Sequence, residues 1–166
     1  MATATVGESV SLDDLAKIPG VIYNPSRYFC AYFKDKSMES KVSIFASGKM
    51  IAVGAKSEKA ATRDLVHVVQ ILSERGFVRK SRPKVTVQNI VVTVELDRTI
   101  NLDELQELIP GLIYEPEQFP GATFRPLSLD VTVLVFASGK MVVAGLKSVS
   151  SIEETVQSVI NELGLK

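Results

Sequence analysis

IFASGKMIAVGAKS at residues 44–57 returns as VFASGKMVVAGLKS at residues 135–148, with an offset of 91 positions. IPGVIYNP at residues 18–25 returns as IPGLIYEP at residues 109–116 with the same offset, and 19 of the 40 residues from 18 to 57 recur identically. A period of this length is too long for a solenoid unit, so it indicates two copies of a half-domain. Two similar halves in one chain predict a pseudo-two-fold molecule.

Each copy has the same predicted order of strands and helices. It opens with alternating apolar and polar residues, at residues 2–6 and 90–96, which is the period of a half-buried strand. A capping residue with an acid three positions later follows at Ser11 and at Asn101 and predicts a short helix, which Pro-Gly ends. The later strands are predicted at residues 28–34, 41–45, 49–53, 122–125, 131–136 and 140–144.

A longer amphipathic helix closes each copy. Apolar residues recur at spacings of three and four within residues 65–72 and 152–163. Ser150 and Glu153 predict a capping box at the start of the second of these helices.

The order of elements predicts the fold class. Strand, helix, several strands and helix, given twice, predict an α+β fold with one antiparallel sheet and its helices on a single side. The basic connector at residues 75–89 is expected to become a strand near Val85. The other face of the sheet would expose valine, isoleucine and phenylalanine side chains, and large apolar patches of this kind mark interaction surfaces.

Length and composition exclude several classes of protein. The chain has 166 residues, of which 46% are hydrophobic, enough to fill a core. No apolar run reaches the roughly 18 residues that span a bilayer, and the N-terminus lacks the pattern of a secretory signal, so an intracellular location with no membrane partner is expected. Cys30 and His67 are the only cysteine and histidine, so no internal disulfide and no zinc site is expected.

The two copies carry opposite charge. Residues 1–90 contain 14 Lys and Arg against 8 Asp and Glu, whereas residues 91–166 contain 5 against 11. The basic copy could therefore bind phosphates and the acidic copy a protein partner. The alternative interpretation is that each set of charges only solvates its own helices.

The sequence does not favour an enzyme. GKM is not a phosphate-binding loop, because no glycine lies five residues before Gly48 or Gly139 and no serine or threonine follows the lysine. His67 lies far in sequence from Cys30, so no nucleophile is placed beside a base.

FASGKM, which occurs twice after an apolar strand, and YEPEQFPG at residues 114–121 resemble motifs of the TATA-binding protein family. The resemblance runs through essentially the whole chain, and the repetition at one spacing makes it specific. EQFPG is similar to archaeal members, which implies a cytoplasmic location at the nucleoid; a eukaryotic member would be nuclear.

The resemblance implies a fold and a mode of DNA binding. The fold is a tandem pseudo-two-fold repeat that forms one curved ten-stranded antiparallel sheet, a saddle, with helices on the convex side. Residues 1–84 would form the first repeat, with a truncated N-terminal strand, and residues 85–166 the second, the two making one continuous saddle. The concave apolar face would lie on the DNA minor groove, where aromatic wedges separate base steps and bend the duplex, by about 80° in this family.

The implied function is that of a general transcription initiation factor without catalysis or cofactor. It would bind A·T-rich promoter (TATA-box) DNA, bend it, and recruit transcription factor B and RNA polymerase. Without DNA, a homodimer would cover the apolar face. The alternative is a divergent paralogue that keeps the fold as a protein-interaction module and binds DNA weakly.

By position, the resemblance assigns three classes of DNA contact and one protein contact. The wedges are Tyr28, Phe45, Phe119 and Phe136. The residues assigned to bases in the minor groove are Asn89, Val91, Ile51, Val142, Val53, Ala144 and Leu134. The residues assigned to phosphates are Arg27, Lys34, Ser47, Lys49, Lys56, Arg125, Ser138, Lys140 and Lys147. Glu115 and Glu117 are assigned to transcription factor B.

The first copy departs from the family pattern at the end that carries its wedge. Tyr28 stands where phenylalanine is expected, and Phe29 and Cys30 replace small or Pro-Gly residues. Kinking at this end is therefore expected to be weaker or to use Phe29 instead. Ser43 also replaces a leucine on the concave face.

Further departures affect polar readout. Val53 and Ala144 occupy positions where the family often has threonines that hydrogen-bond bases, so specificity would depend more on DNA shape. Met1 lies opposite Val91, so the first copy has no counterpart of Asn89. Each loss in the first copy predicts weaker DNA binding by that copy.

Overall fold

The computed structural model describes residues 1–165. The strands are β1 (Ala2–Thr5), β2 (Val21–Ile22), β3 (Cys30–Phe33), β4 (Lys41–Phe45), β5 (Lys49–Val53), β6 (Thr86–Val87), β7 (Ile90–Glu95), β8 (Gly121–Phe124), β9 (Thr132–Phe136) and β10 (Lys140–Leu146). The helices are α1 (Leu12–Leu15), α2 (Glu58–Glu74), α3 (Leu102–Leu108) and α4 (Ile152–Glu162), and a 3-10 turn lies at Val149–Ser151. The predicted order of elements is confirmed in both copies.

The strands form antiparallel sheets. Hydrogen bonding divides them into a sheet of six, β2-β3-β4-β5-β1-β6, and a sheet of four, β7-β10-β9-β8. The register repeats between the copies, because Ser43 lies opposite Ile51 in the first and Leu134 lies opposite Val142 in the second. The predicted α+β class and tandem organisation are therefore confirmed.

The chain divides into two compact units, Met1–Gln88 and the part from Asn89 onward. The first unit extends past residue 84 because β6 pairs with β1, and because the Gln88 N–H donates to the Met1 carbonyl at 3.0 Å. The expected strand near Val85 is this β6. Each unit has its own hydrophobic core.

The core of each unit lies between its sheet and its helices. In the first unit, Val42, Ile44 and Met50 on the strands pack with Leu65 and Val68 of α2, and all five side chains are essentially inaccessible. The second core is built in the same way; its members include Val133, Val135 and Met141 from the strands and Val159 from α4. Helices therefore cover one face of each sheet.

The short helices begin at the predicted capping residues. The Ser11 side chain accepts a hydrogen bond from the Asp14 N–H at 3.3 Å. Asn101 Oδ1 accepts from the Glu104 N–H at 3.4 Å in the same way. Both side chains satisfy backbone donors that the first turn of a helix leaves unpaired.

The capping box predicted at Ser150 and Glu153 is wrong. Ser150 lies within the 3-10 turn, and the residue that precedes α4 is Ser151, which makes no side-chain capping bond. The Ser150 hydroxyl lies 3.1 Å from the Ser148 hydroxyl. Because residue 150 is already in a helical turn, its hydroxyl cannot take the capping position.

A buried carboxylate joins the β3–β4 loop to α2 in the first unit. Asp64 Oδ2 accepts from the Ser40 N–H at 2.7 Å and from the Ser40 hydroxyl at 2.6 Å. Burial by itself raises the pKa of Asp64, but the hydrogen bonds from Ser40 and the Arg63 guanidinium outweigh it and lower that pKa. Valine and threonine stand at the equivalent places in the second unit, residues 131 and 155, so this link belongs to the first unit.

A carboxylate of the β3–β4 loop itself, that of Asp35, contacts α2 nearer the surface. Asp35 Oδ1 accepts from the Ser37 N–H at 2.8 Å and from its hydroxyl at 2.6 Å, and Asp35 Oδ2 lies 2.8 Å from His67 Nε2. Hydrogen bonds from Ser37, and then the His67 contact, lower the pKa of Asp35 to about 2.

Acid should remove the stabilisation by Asp35. Because its folded-state pKa lies below the ordinary value of 3.8, the contribution is complete above that value and is lost as the pH falls towards 2. We expect Asp35→Asn to lower the urea midpoint of unfolding at neutral pH, and the difference from wild type to vanish near pH 2. Asp13→Asn, on the exposed side of α1, is the control. A difference that stays constant down to pH 2 would show that the carboxylate charge is not responsible.

Residues 1–165 contain neither a cluster placed to bind a metal nor a helix able to span a membrane. Within residues 1–165, no group of three or more His, Cys, Asp and Glu side chains is placed to hold a metal ion. None of the helices in that range is long and apolar enough to cross a bilayer.

Candidate nucleic-acid interface

Each sheet has an outer face, defined here as the face opposite the helices. Its side chains alternate along the strands with the buried core positions and are half-buried or exposed. One row of paired residues crosses each outer face: Tyr32, Ser43, Ile51 and Thr3 in the first unit, and Thr123, Leu134, Val142 and Thr93 in the second.

The apolar residues assigned to the minor groove lie on these outer faces. Val53 is 51% exposed at the end of β5, and Val91 is 55% exposed and lies opposite Ala144. Ile51 and Val142 occupy matching central positions in the two rows. The outer faces therefore expose branched apolar side chains that no helix covers.

The two phenylalanines assigned as wedges in the second unit pack against each other. The ring centroids of Phe119 and Phe136 are 5.8 Å apart, with an interplanar angle of 63°. Both rings lie over Gly121, where an added Cβ atom would come within 2.9 Å of the Phe119 ring and 3.0 Å of the Phe136 ring. The absence of a side chain at residue 121 is thus what lets the rings meet, and Phe119 remains 38% exposed.

The corresponding end of the first unit has a different arrangement. Cys30 stands in place of that glycine; it is buried and lies opposite Phe45. Tyr28 instead packs edge-on against Tyr32, with centroids 5.1 Å apart and an interplanar angle of 85°. Phe29 is 94% exposed. The two ends therefore present different aromatic groups, as the sequence departures predicted.

The residues assigned to phosphates lie at the surface. Two glycines with positive φ, Gly48 at +79° and Gly139 at +85°, form the tight turns of the FASGKM motifs. The exposed residues of this class are Arg27, Lys34, Ser47, Lys49, Lys56, Arg125, Ser138, Lys140 and Lys147.

Two of these lysines already have partners. Lys34 Nζ donates to the Glu39 carbonyl at 3.0 Å, and Lys147 Nζ lies 3.1 Å from Asp130 Oδ2. An exposed ion pair such as Lys147–Asp130 contributes only about 0–1 kcal/mol, so its exchange for a phosphate costs little.

Asn89 has a structural contact in addition to its predicted role. Its Oδ1 accepts from the Gly145 N–H at 2.9 Å, at the point where the β7–β10 register shifts after Ala144. Gly145 has a φ of +116°, and a Cβ atom there would lie 2.8 Å from the Asp130 carbonyl oxygen. Asn89 thus fixes a bulge in β10, and its contact with DNA stays a prediction.

The two acids assigned to a protein partner are exposed on a turn beside Phe119. The carbonyl oxygen of Glu115 accepts from the N–H groups of Gln118 and Phe119, both at 2.9 Å. These bonds hold the turn so that the Glu115 and Glu117 side chains are exposed to solvent.

Sequence reasoning missed a polar group on the first outer face. Lys41 Nζ lies 4.6 Å from the centroid of the Tyr32 ring, a distance typical of a cation–π contact. The signal was present, because Lys41 precedes Ser43 by two positions and therefore shares its face of the strand. On the second outer face, Thr123 and Thr132 likewise share the face of Leu134 and were not predicted to contact DNA.

The family model described as transcription factor TFIID, or TATA-binding protein, matches residues 1–75 and 84–164. The TATA-box-binding protein of Sulfolobus acidocaldarius is 33% identical over 164 residues, which cover 98% of this chain and 83% of the relative. The TATA-box-binding protein B of Halobacterium salinarum is 35% identical over 171 residues, which cover 99% and 92%.

A solved structure matches over the same extent. The Methanococcus jannaschii TBP superposes with a TM-score of 0.89 at 29% identity, covering 98% of this chain and 94% of the other. This match confirms the fold class over nearly the entire sequence. The predicted resemblance is also confirmed, and the chain belongs to the TATA-binding protein family, whose members are transcription factors and not enzymes.

Proposed function

We propose that this protein is a general transcription initiation factor that binds the minor groove of A·T-rich promoter DNA and bends it. Family membership along both repeats supports this function over that of a separate protein-interaction module. The proposal extends to recruitment of transcription factor B and RNA polymerase by the bent complex at the nucleoid.

The apolar outer faces carry the argument. An A·T pair offers only acceptors on the floor of the minor groove, whereas a G·C pair adds the guanine amino group, a donor. Apolar residues such as Ile51, Val53, Val91 and Val142 cannot accept a hydrogen bond from that amino group. Burying it against them would cost about 1–3 kcal/mol, so these faces favour A·T pairs.

The aromatic end of the second outer face supports bending. The Phe119 and Phe136 rings pack against each other, and Phe119, in the turn before β8, is partly exposed. Inserting such rings at a base step costs a few kcal/mol of unstacking, which the larger contact surface of bent DNA offsets. The exposed lysines at the two FASGKM turns would contact the phosphates on either side.

The acidic turn supports a protein contact. Glu115 and Glu117 are exposed on a turn that backbone hydrogen bonds to the Glu115 carbonyl hold, and they lie in the copy with excess negative charge. A basic surface on transcription factor B would complement them. In the absence of DNA, a second copy would cover the apolar faces, as a homodimer.

Equilibrium binding tests the proposed function. Fluorescence anisotropy at one stated salt concentration would compare an A·T-rich duplex with a G·C-rich duplex of the same length. We expect the A·T-rich duplex to bind about a thousandfold or more tightly, since specific sites exceed non-specific DNA by at least this factor. Equal affinity for the two duplexes would contradict the proposal. The salt concentration must be the same for both duplexes, because the affinity from phosphate contacts does not depend on sequence but falls as salt rises.

A further inference from the structure

A connected group of polar side chains lies on the first outer face. The Tyr32 ring is the centre of this group. Lys41 Nζ lies 4.6 Å from its centroid, and the Tyr28 ring packs edge-on against it. Lys41 is an exposed residue of β4. The Tyr32 ring therefore restrains a cation at the surface that we assign to DNA.

The two units differ at this position. Lys41 lies opposite Val53, one of the residues that replaces an expected hydrogen-bonding threonine. In the second unit, the equivalent pair is Thr132 opposite Ala144. At this cross-strand position each outer face thus pairs a polar side chain with an apolar one, but the polar group is an ammonium in the first unit and a hydroxyl in the second.

Given the proposed function, on which this inference rests, we propose that Lys41 hydrogen-bonds the minor-groove acceptors of an A·T pair and thereby sets the orientation of the protein on DNA. The acceptors are N3 of adenine and O2 of thymine. Thr132 makes the weaker and less selective contact in the other half of the site.

The Lys41 ammonium and the Thr132 hydroxyl differ in how they can pair with a G·C base pair. An ammonium donates three hydrogen bonds and accepts none, so it cannot pair with the guanine amino group. A hydroxyl donates and also accepts, so Thr132 can accept from that amino group. A G·C pair, whose amino group lies beside the remaining acceptors, is therefore disfavoured near Lys41 and tolerated near Thr132.

This asymmetry predicts a non-additive response to base substitution. On a palindromic A·T-rich duplex, one G·C pair introduced into one half leaves the protein free to orient with Thr132 over it. The symmetric pair in both halves forces Lys41 onto a guanine. The first substitution should be nearly neutral and the second should cost about tenfold in affinity.

The experiment measures these affinities by fluorescence anisotropy while each pair of the half-site is replaced in turn. Lys41→Thr should remove most of the penalty of the second substitution, and Lys41→Gln, which restores an acceptor, should act likewise. Thr132→Lys should make the first substitution cost about tenfold. Lys41→Arg should keep the wild-type pattern. Thermal unfolding of each variant serves as the control for folding, since both side chains lie on the sheet surface.

Several outcomes would overturn the inference. If Lys41→Thr weakens binding to every duplex by the same factor, Lys41 contacts phosphate and does not discriminate bases. If wild type shows equal penalties for the two substitutions, the faces do not differ in tolerance. Failure of wild type to prefer the unsubstituted duplex over G·C-rich DNA would reject the proposed function as well, which separates that failure from the other two.

Discussion

Phe119→Ala and Phe136→Ala should each weaken binding to A·T-rich DNA by about tenfold or more and reduce the bend, with little loss of stability. Stacking of an aromatic side chain on a base is worth about 1–3 kcal/mol, and 1.4 kcal/mol corresponds to a factor of ten. The two rings contact each other over Gly121, so removing either one also removes the support of the other. Anisotropy would measure affinity, and energy transfer between end labels would measure the bend.

Phe124→Ala is the matched control for these variants. Phe124 lies in β8, the strand that begins at Gly121, but it is 5% exposed and belongs to the core. Its truncation should lower the free energy of unfolding by about 3–5 kcal/mol. If Phe119→Ala lowers stability as much as Phe124→Ala does, the Phe119 ring is a core residue and not a wedge.

Gly48→Ala and Gly139→Ala should each destabilise the protein by about 2–5 kcal/mol. Both glycines have positive φ, which costs a residue with a side chain about 1–2 kcal/mol. A Cβ atom would also lie 2.0 Å from the Glu8 carbonyl oxygen at Gly48, and 2.1 Å from the Arg98 carbonyl oxygen at Gly139. Relieving such contacts with the backbone adds about 1–3 kcal/mol. Urea unfolding would measure the change.

Gly76→Ala separates the two causes. Gly76 also has a positive φ, +78°, but no atom lies within 4 Å of an added Cβ. It should therefore show only the conformational cost, about 1–2 kcal/mol. Equal destabilisation at residues 48 and 76 would contradict the close approach of backbone at the FASGKM turn.

The repeated local patterns made most of the fold predictable. Alternation along β4 and β9 distinguishes core residues such as Val42 from outer residues such as Ser43, because side chains of a strand alternate between faces. The caps at Ser11 and Asn101 were predictable because a cap depends on residues within one turn. The capping box predicted at Ser150 was wrong because residues 149–151 form a 3-10 turn before α4, which the local pattern does not indicate.

The structure adds contacts between residues that are distant in sequence. Ser40 and Asp64 are 24 positions apart, and nothing in their local sequence indicates a buried hydrogen bond between them. Cys30 likewise lies opposite Phe45 on the neighbouring strand, where Gly121 lies opposite Phe136 in the second unit. Such contacts depend on side-chain volumes in three dimensions, which a periodic pattern does not contain.

Binding to a duplex in which inosine·cytosine pairs replace the A·T pairs tests minor-groove recognition most directly. Such a pair has the major-groove edge of G·C, but its minor groove lacks the guanine amino group and so resembles that of A·T. We expect the inosine·cytosine duplex to bind within a few fold of the A·T-rich duplex, and the G·C duplex of the same sequence pattern to bind about a thousandfold more weakly. Equally weak binding of the inosine·cytosine and G·C duplexes would show that the outer faces do not contact the minor groove.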